Sequence, residues 1–341
     1  MSNSNVAAPG PELKAVPVKK PNKVVELIKR LFRGRETGIA LVVIAMVVFL
    51  SLATDTFFTA SNLAVVSRVI ALNAIIAIGM TMVILIGGID LSVGSVVAIT
   101  SVMVGLSMVR ASMPIWVSIA IGIMTGMLIG FINGTLIVKT KVPPFIITLG
   151  MMGLARGAAL VITKGSSISG FPEQYLPIGQ GFVLTYIPVP VVIAAVIAII
   201  AHIILSRTTF GRRIYLLGSN EEATLLSGIN VNRMKVVVFT ICSSLAAVEA
   251  IIETSRMSTG QPASGSGYEL TAIGAVIIGG ASMAGGEGTI LGTILGSILL
   301  GLITNGLILL GISAYWQQVF SGTIIILAVA LDTWRRNRES K

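Results

Sequence analysis

The chain has 341 residues, of which 54% are hydrophobic and only 11% charged, and its mean hydropathy is +0.95. Soluble domains carry about 25% charged residues, so soluble enzymes, secreted disulfide scaffolds and disordered tails are excluded. One cysteine (Cys242) and one histidine (His202) leave no internal disulfide, no cysteine-based zinc site and no H-E-x-x-H hydrolase pattern.

An all-α, polytopic membrane protein remains. Residues 1–36 are polar, carry Pro9, Pro11, Pro17 and Pro21, and hold eight basic residues from Lys14 to Arg35. They read as a cytoplasmic tail ending in a short basic helix, Val24–Arg33. Such a long basic region, with no small-residue cleavage site after the first apolar run, does not fit a cleavable signal. Apolar runs follow at 38–54, 64–86, 93–109, 114–138, 143–162, 188–205, 234–253, 269–284, 288–310 and 316–332. A spanning helix needs about 20 apolar residues, so these predict ten transmembrane helices, several of them short.

The net charge of +10 is organised by topology. Nineteen of the 24 basic residues lie in four clusters, at 14–35, 139–141, 207–235 and 335–341. This is the positive-inside pattern rather than a nucleic-acid footprint. With the N-terminus inside, ten spans place 139–142, 206–233 and 333–341 in the cytoplasm. The outer loops 163–187 and 254–268 then hold only Lys164 and Arg256. The expected organisation is a tail (1–36), a transmembrane domain (37–334) containing the cytoplasmic segment 206–233, and a C-terminal tail (335–341). Both termini are expected in the cytoplasm.

Between the second and third spans, Gly87-Gly88-Ile89-Asp90-Leu91-Ser92 reads as a helix break. Asp90 and Ser92 are placed to cap the next helix. A carboxylate at membrane depth is also a functional candidate, and both readings stand. The fourth span carries Gly122, Gly126, Gly130 and Gly134, and the ninth carries Gly288, Gly292 and Gly296 at the same interval, followed by Gly301. A spacing of four puts small residues on one face, where helices in lipid approach closely. The two striped helices are five spans apart and so run in opposite directions. They point to a five-plus-five inverted repeat with a substrate path at its interface.

The segment 209–233 is the longest polar stretch on the basic side. Ser219-x-x-Glu222 reads as a capping box, starting a short helix at Asn220 that Gly228 ends. Arg212, Arg213, Glu221 and Glu222 would face a docking partner. The glycine-rich run 279–288 lacks the Lys-[Ser/Thr] of a phosphate loop, and no G-x-x-x-x-G-K-[ST] occurs in the chain; it reads as a tight cytoplasmic turn. The outer stretch from Arg256 to Leu270 is either a partner contact or an ordered loop. Arg156, Glu249 and Glu253 are the main charges in the spans and are available to pair with one another. Asn73, Asn133 and Asn305 are path-lining candidates, because an amide both donates and accepts.

The stretches 73–95, 144–157, 209–235, 261–270 and 279–296 together resemble the permease subunits of monosaccharide ABC importers of the ribose type, over Phe57 to Asp332. The resemblance implies a homodimer, a separate cytoplasmic ATPase, an external sugar-binding protein and a place in the cytoplasmic (inner) membrane. No cofactor is expected in this chain, since ATP and Mg²⁺ belong to the partner ATPase. It also places the coupling helix at Asn220–Gly228, with Glu222-Ala223 and Gly228 at the family's spacing and Thr224 where an alanine is usual. The alternative is an ion-coupled secondary transporter of a small polar solute, for which Asp90, Glu249 and Glu253 are the available carboxylates. An intramembrane enzyme lacks any suitable dyad or metal cluster. The residues do not identify the sugar.

Overall fold

The computed structural model describes residues 35–313 and scattered positions between 315 and 330. The expected basic helix Val24–Arg33, both tails and most of the run 316–332 lie outside the described residues.

Among the described residues, eight helices are long and apolar enough to cross a membrane. They are α1 (Arg35–Ala53), α2 (Ala60–Leu85), α3 (Val93–Gly105, continued by a π-helical turn Leu106–Arg110), α4 (Ile115–Thr140) and α5 (Pro144–Thr163). After the four-residue α6 (Pro177–Gln180) come α7 (Val189–Arg207), then the short polar helices α8 (Thr209–Ser219) and α9 (Glu221–Leu226). The series ends with α10 (Val231–Met257), α11 (Tyr268–Ile278) and α12 (Ile290–Leu309).

The eighth expected span, 269–284, stops early. α11 has only 11 residues, because the chain turns at Gly279-Gly280, where Gly280 has φ +88°. A side chain rarely adopts that conformation. Its rise of about 16 Å is half of the roughly 30 Å hydrocarbon core.

A helix that is apolar on every side belongs inside a bundle. α2 fits this rule: 78% of its most apolar stretch is buried, against 6% for α1. α2, α3, α10 and α11 form the centre, and α10 makes its largest interface with α4. α1 lies at the edge against α12.

That α4–α10 interface is the glycine stripe at work. A Cβ at Gly126 would lie 2.5 Å from the Ser243 carbonyl oxygen, and one at Gly130 2.5 Å from that of Phe239. Gly122 meets Val104 and Thr100 of α3 as well as Ile251 of α10. On α12, Gly292 and Gly296 press against the backbone of Gly279 and Ala275. Gly288 does not belong to this stripe. It has φ +153° in the turn before α12, whose cap is Thr289, accepting from the Gly292 amide at 3.0 Å.

Two small sheets cover the end of the bundle opposite α8 and α9. β1 (Ile168–Ser169) pairs antiparallel with β4 (Thr259–Gly260), Ile168 opposite Gly260. β2 (Phe182–Val183) pairs with β3 (Ile187–Pro188). The two polar outer loops of the sequence are thereby joined.

Candidate functional site

α8 and α9 form a bent pair on the surface. Thr208 caps α8, accepting from the Gly211 amide at 3.2 Å. Gly211, Ile214 and Leu217 face inward, while Arg212, Arg213 and Leu216 are exposed. The expected capping box is corrected here. Ser219 belongs to α8, and its hydroxyl donates back to the Tyr215 carbonyl at 2.9 Å. Asn220 is the cap of α9, accepting from the Ala223 amide at 2.9 Å. Thr224 is buried and donates to the Asn220 carbonyl at 2.7 Å, so the hydroxyl that replaces the usual alanine is satisfied within its own turn.

Gly228, with φ +76°, ends the pair. Asn230 then caps α10, accepting from the Arg233 amide at 2.9 Å. Glu221 pairs with Lys235 at 2.7 Å. Glu222 is exposed next to Leu225 and Leu226, which are 61% and 85% exposed. Two exposed leucines beside an acid make an apolar contact with a charged rim, the composition of a protein interface.

The inner side of α8 touches both glycine-rich turns. Gly286 donates its amide to the Leu85 carbonyl at 2.9 Å. Gly218 lies against that same carbonyl so closely that no Cβ fits. Tyr215 donates its hydroxyl to the Gly288 carbonyl at 2.8 Å. Burial pushes the Tyr215 phenol above its ordinary range.

The break after α2 is a buried polar turn. Gly87 has φ +75°. Asp90 Oδ1 accepts from the Ser92 amide at 2.9 Å and from the Ser92 hydroxyl at 2.6 Å. Asn133 of α4 donates to Ser92 Oγ at 2.9 Å. Asp90, Ser92 and Asn133 are each fully buried.

The three asparagines are not brought together. Asn133 holds the Asp90 turn. Asn305 exchanges amide hydrogen bonds with Asn62, at 2.8 and 3.2 Å. Asn73 is half-buried on α2.

The charges within the spans also sort differently from the expected mutual pairing. Arg156 donates to the carbonyls of Gly94, at 3.2 Å, Pro262, at 3.2 Å, and Ser264. The acid within its electrostatic reach is Glu269. Glu253 Oε1 accepts from the Tyr268 hydroxyl at 2.6 Å and lies 4.0 Å from the Arg256 guanidinium.

Comparison with known proteins gives this geometry its context. The family described as "Branched-chain amino acid transport system / permease component" matches residues 60–329. The ribose import permease protein RbsC of Haemophilus influenzae is 44% identical over 90% of this chain and 95% of its own length. The Escherichia coli K12 ribose import permease protein RbsC is 44% identical over 86% of this chain and 92% of its own. The D-allose transport system permease protein AlsC of the same strain is 36% identical over 89% of this chain and 92% of its own.

The chain belongs to the permease family of monosaccharide ABC importers. No solved structure matches it. The permease is a transport subunit and not an enzyme; ATP hydrolysis resides in a separate subunit. It is a multi-pass protein of the bacterial inner membrane, and the family associates with an ATPase and a periplasmic binding protein. Family membership decides against the ion-coupled alternative.

Sequence reasoning on this permease missed two features. One is the contact of Gly218 with Leu85 and Gly286. The other is the Tyr268–Glu253 hydrogen bond, for which the only sequence signal was a pair of acids four apart on a helix.

Proposed function

We propose that the cargo of this permease is ribose or a closely related pentose, and that α8 and α9 receive the ATPase subunit. The ribose import permeases, at 44% identity over most of both chains, carry the first part. The second rests on one observation: a capped helix pair with exposed Leu225 and Leu226 whose inner side abuts both helix breaks. In this reading Arg212, Arg213, Asn220, Glu221, Glu222 and Gly228 belong to the coupling surface. The positive-inside pattern then puts both termini and 206–233 in the cytoplasm, and the paired loops carrying β1 to β4 outside. ATP and Mg²⁺ act on the partner ATPase.

We read the working unit as a homodimer and the bundle as a five-plus-five inverted repeat. In support, a long central helix (α2 or α10) is followed each time by an irregular segment. An apolar helix (α3 or α11) and a glycine-striped helix (α4 or α12) come next.

The test is uptake of radiolabelled ribose by cells expressing the permease with its ATPase and binding protein. ATP-dependent ribose uptake, displaced by unlabelled ribose more strongly than by allose, arabinose or fructose, is the expected result. Uptake of none of the four sugars would sink the cargo reading.

A further inference from the structure

The segment 258–267 does not stay on the surface. The Gly260 position lies against the Ser101 carbonyl, and the Ser101 hydroxyl donates to the Gln261 carbonyl at 3.1 Å. Gly265 lies against the carbonyl of Gly94. Ser101 and Gly94 are two turns apart on α3, so the segment follows α3 inward to its first turn. Arg156 clamps it there through the Pro262 and Ser264 carbonyls. Irregular backbone at this depth is tolerated only where protein buries it or where it lines an aqueous cavity. In transporters, substrate sites sit at such broken helices.

At the foot of this segment α11 begins with Tyr268, whose hydroxyl is held by Glu253. One turn down α10 is Glu249, with no exposed surface and with neither carboxylate oxygen hydrogen-bonded among the described residues. Glu253 Oε2 is unpartnered as well. Arg156 is spent on carbonyls, and Arg256 is 4.0 Å from Glu253. Three buried carboxylate oxygens near Tyr268 are therefore without a hydrogen bond, and so is the buried Arg256 Nε. Leaving buried acceptors unmet costs about 1–3 kcal/mol each, more for charged groups.

We propose that Glu249 and Glu253 form a binding site for a neutral polyhydroxyl cargo, their free oxygens accepting sugar hydroxyls. Tyr268 orients Glu253, and 258–267 is the cover that moves to admit the sugar. This deepens the reading of the chain as a sugar permease and rests on it. A monosaccharide is an uncharged ring of hydroxyl donors, which suits carboxylate oxygens left without hydrogen bonds beside a single cation, Arg256.

The experiment uses the whole importer, with its ATPase and binding protein, in proteoliposomes, with radiolabelled ribose and its 2-, 3- and 5-deoxy analogues presented to each variant. In the wild type, removing the hydroxyl that Glu249 accepts lowers uptake about tenfold relative to ribose. In Glu249→Gln, ribose uptake falls by about the same factor and that deoxy analogue loses no more. A merely structural carboxylate would lower all sugars together and leave their ratios unchanged, which overturns the proposal. So would wild-type uptake in Glu249→Gln, or ribose uptake that keeps its KM and loses only its pH dependence, the sign of a proton or cation site. Glu253→Gln and Tyr268→Phe, read by the same ratios, keep the test valid if Glu249→Gln fails to assemble. Absence of any sugar uptake by the wild-type importer would overturn the cargo reading as well; normal wild-type uptake with unchanged ratios in the variants overturns this inference alone.

Discussion

Gly286 donates its backbone amide to the carbonyl of Leu85 at 2.9 Å, tying the turn before α12 to the last residue of α2. Gly218 of α8 rests on that junction without room for a Cβ. A movement of α8 is therefore expected to reach both helix breaks through this contact. Gly218→Val is expected to abolish sugar-coupled ATPase activity or lower the yield of folded protein sharply. Tyr215→Phe, which removes one hydrogen bond to Gly288 worth about 1 kcal/mol, should fold and transport less sugar per ATP hydrolysed. Equal sugar-to-ATP ratios in Tyr215→Phe and wild type would show that the junction transmits nothing.

The coupling pair is testable at its cap. Asn220 holds the first turn of α9, so Asn220→Ala should cost that helix about 1 kcal/mol. Glu222 is exposed with no capping bond, so Glu222→Ala should leave stability within about 0.5 kcal/mol. Leu226→Asp should weaken ATPase binding, because it charges the most exposed leucine of the pair, at 85%. Thermal midpoints of the detergent-solubilised variants read the first two, and co-purification of the ATPase reads the third. Undiminished co-purification with Leu226→Asp would move the docking surface elsewhere.

Much of this segment was legible in the sequence because caps and glycine stops are local chemistry. The one-residue error at Ser219 arose because its hydroxyl turns back into α8, a preference that spacing to Glu222 does not reveal. The eighth span was over-read for a related reason. Hydropathy runs on through Gly279, Gly280 and Ala281, and it carries no information about a backbone at φ +88°. The glycine stripes were readable as packing faces, except Gly288, which keeps the period of four but lies in the turn. Pairings across the bundle were not readable. Asn62 and Asn305 are 243 positions apart, and nothing in either helix names the other.

That asparagine pair should show strong coupling. Asn62→Leu strands the Asn305 amide, and Asn305→Leu leaves Asn62 only its bond to the Phe57 carbonyl at 2.9 Å; either change should lower the thermal midpoint of the detergent-solubilised protein. The double leucine variant should recover much of the loss, since replacing both partners by apolar groups is nearly neutral. Interhelical hydrogen bonds in membranes average about 0.6 kcal/mol, so the single effects should be modest. Additive losses in the double variant would mean that the amides act independently.

The stripe on α4 should be far less forgiving. In lipid there is no hydrophobic drive to hold a widened helix pair together. A side chain at Gly126 or Gly130 meets the α10 backbone rather than a movable side chain. Gly130→Leu is therefore expected to cut the monodisperse yield several-fold, whereas Gly150→Leu on α5, where a Cβ meets nothing within 4 Å, should be tolerated. Comparable size-exclusion profiles for the two variants would refute the packing role of the stripe.

Asp90 supports a prediction about charge against shape. Its Oδ1 makes both bonds of the turn, to the Ser92 amide and hydroxyl. Its Oδ2 is buried without a partner, as are Asn133 Oδ1 and Ser243 Oγ. Ser243 faces the Asp90 carboxyl, and Asn133 reaches the same turn through Ser92. Asparagine at position 90 would keep the Oδ1 acceptor and place an amide donor among acceptors that lack one. It would also remove a charge buried without a counter-ion, which is costly in a low-dielectric interior. Asp90→Asn should therefore be as stable as wild type or slightly more so, and retain transport. Asp90→Leu, which loses the turn, should cost about 1–3 kcal/mol and lower the thermal midpoint. If Asp90→Asn folds normally but no longer transports sugar, the carboxylate has a functional role and the capping account of this turn is incomplete.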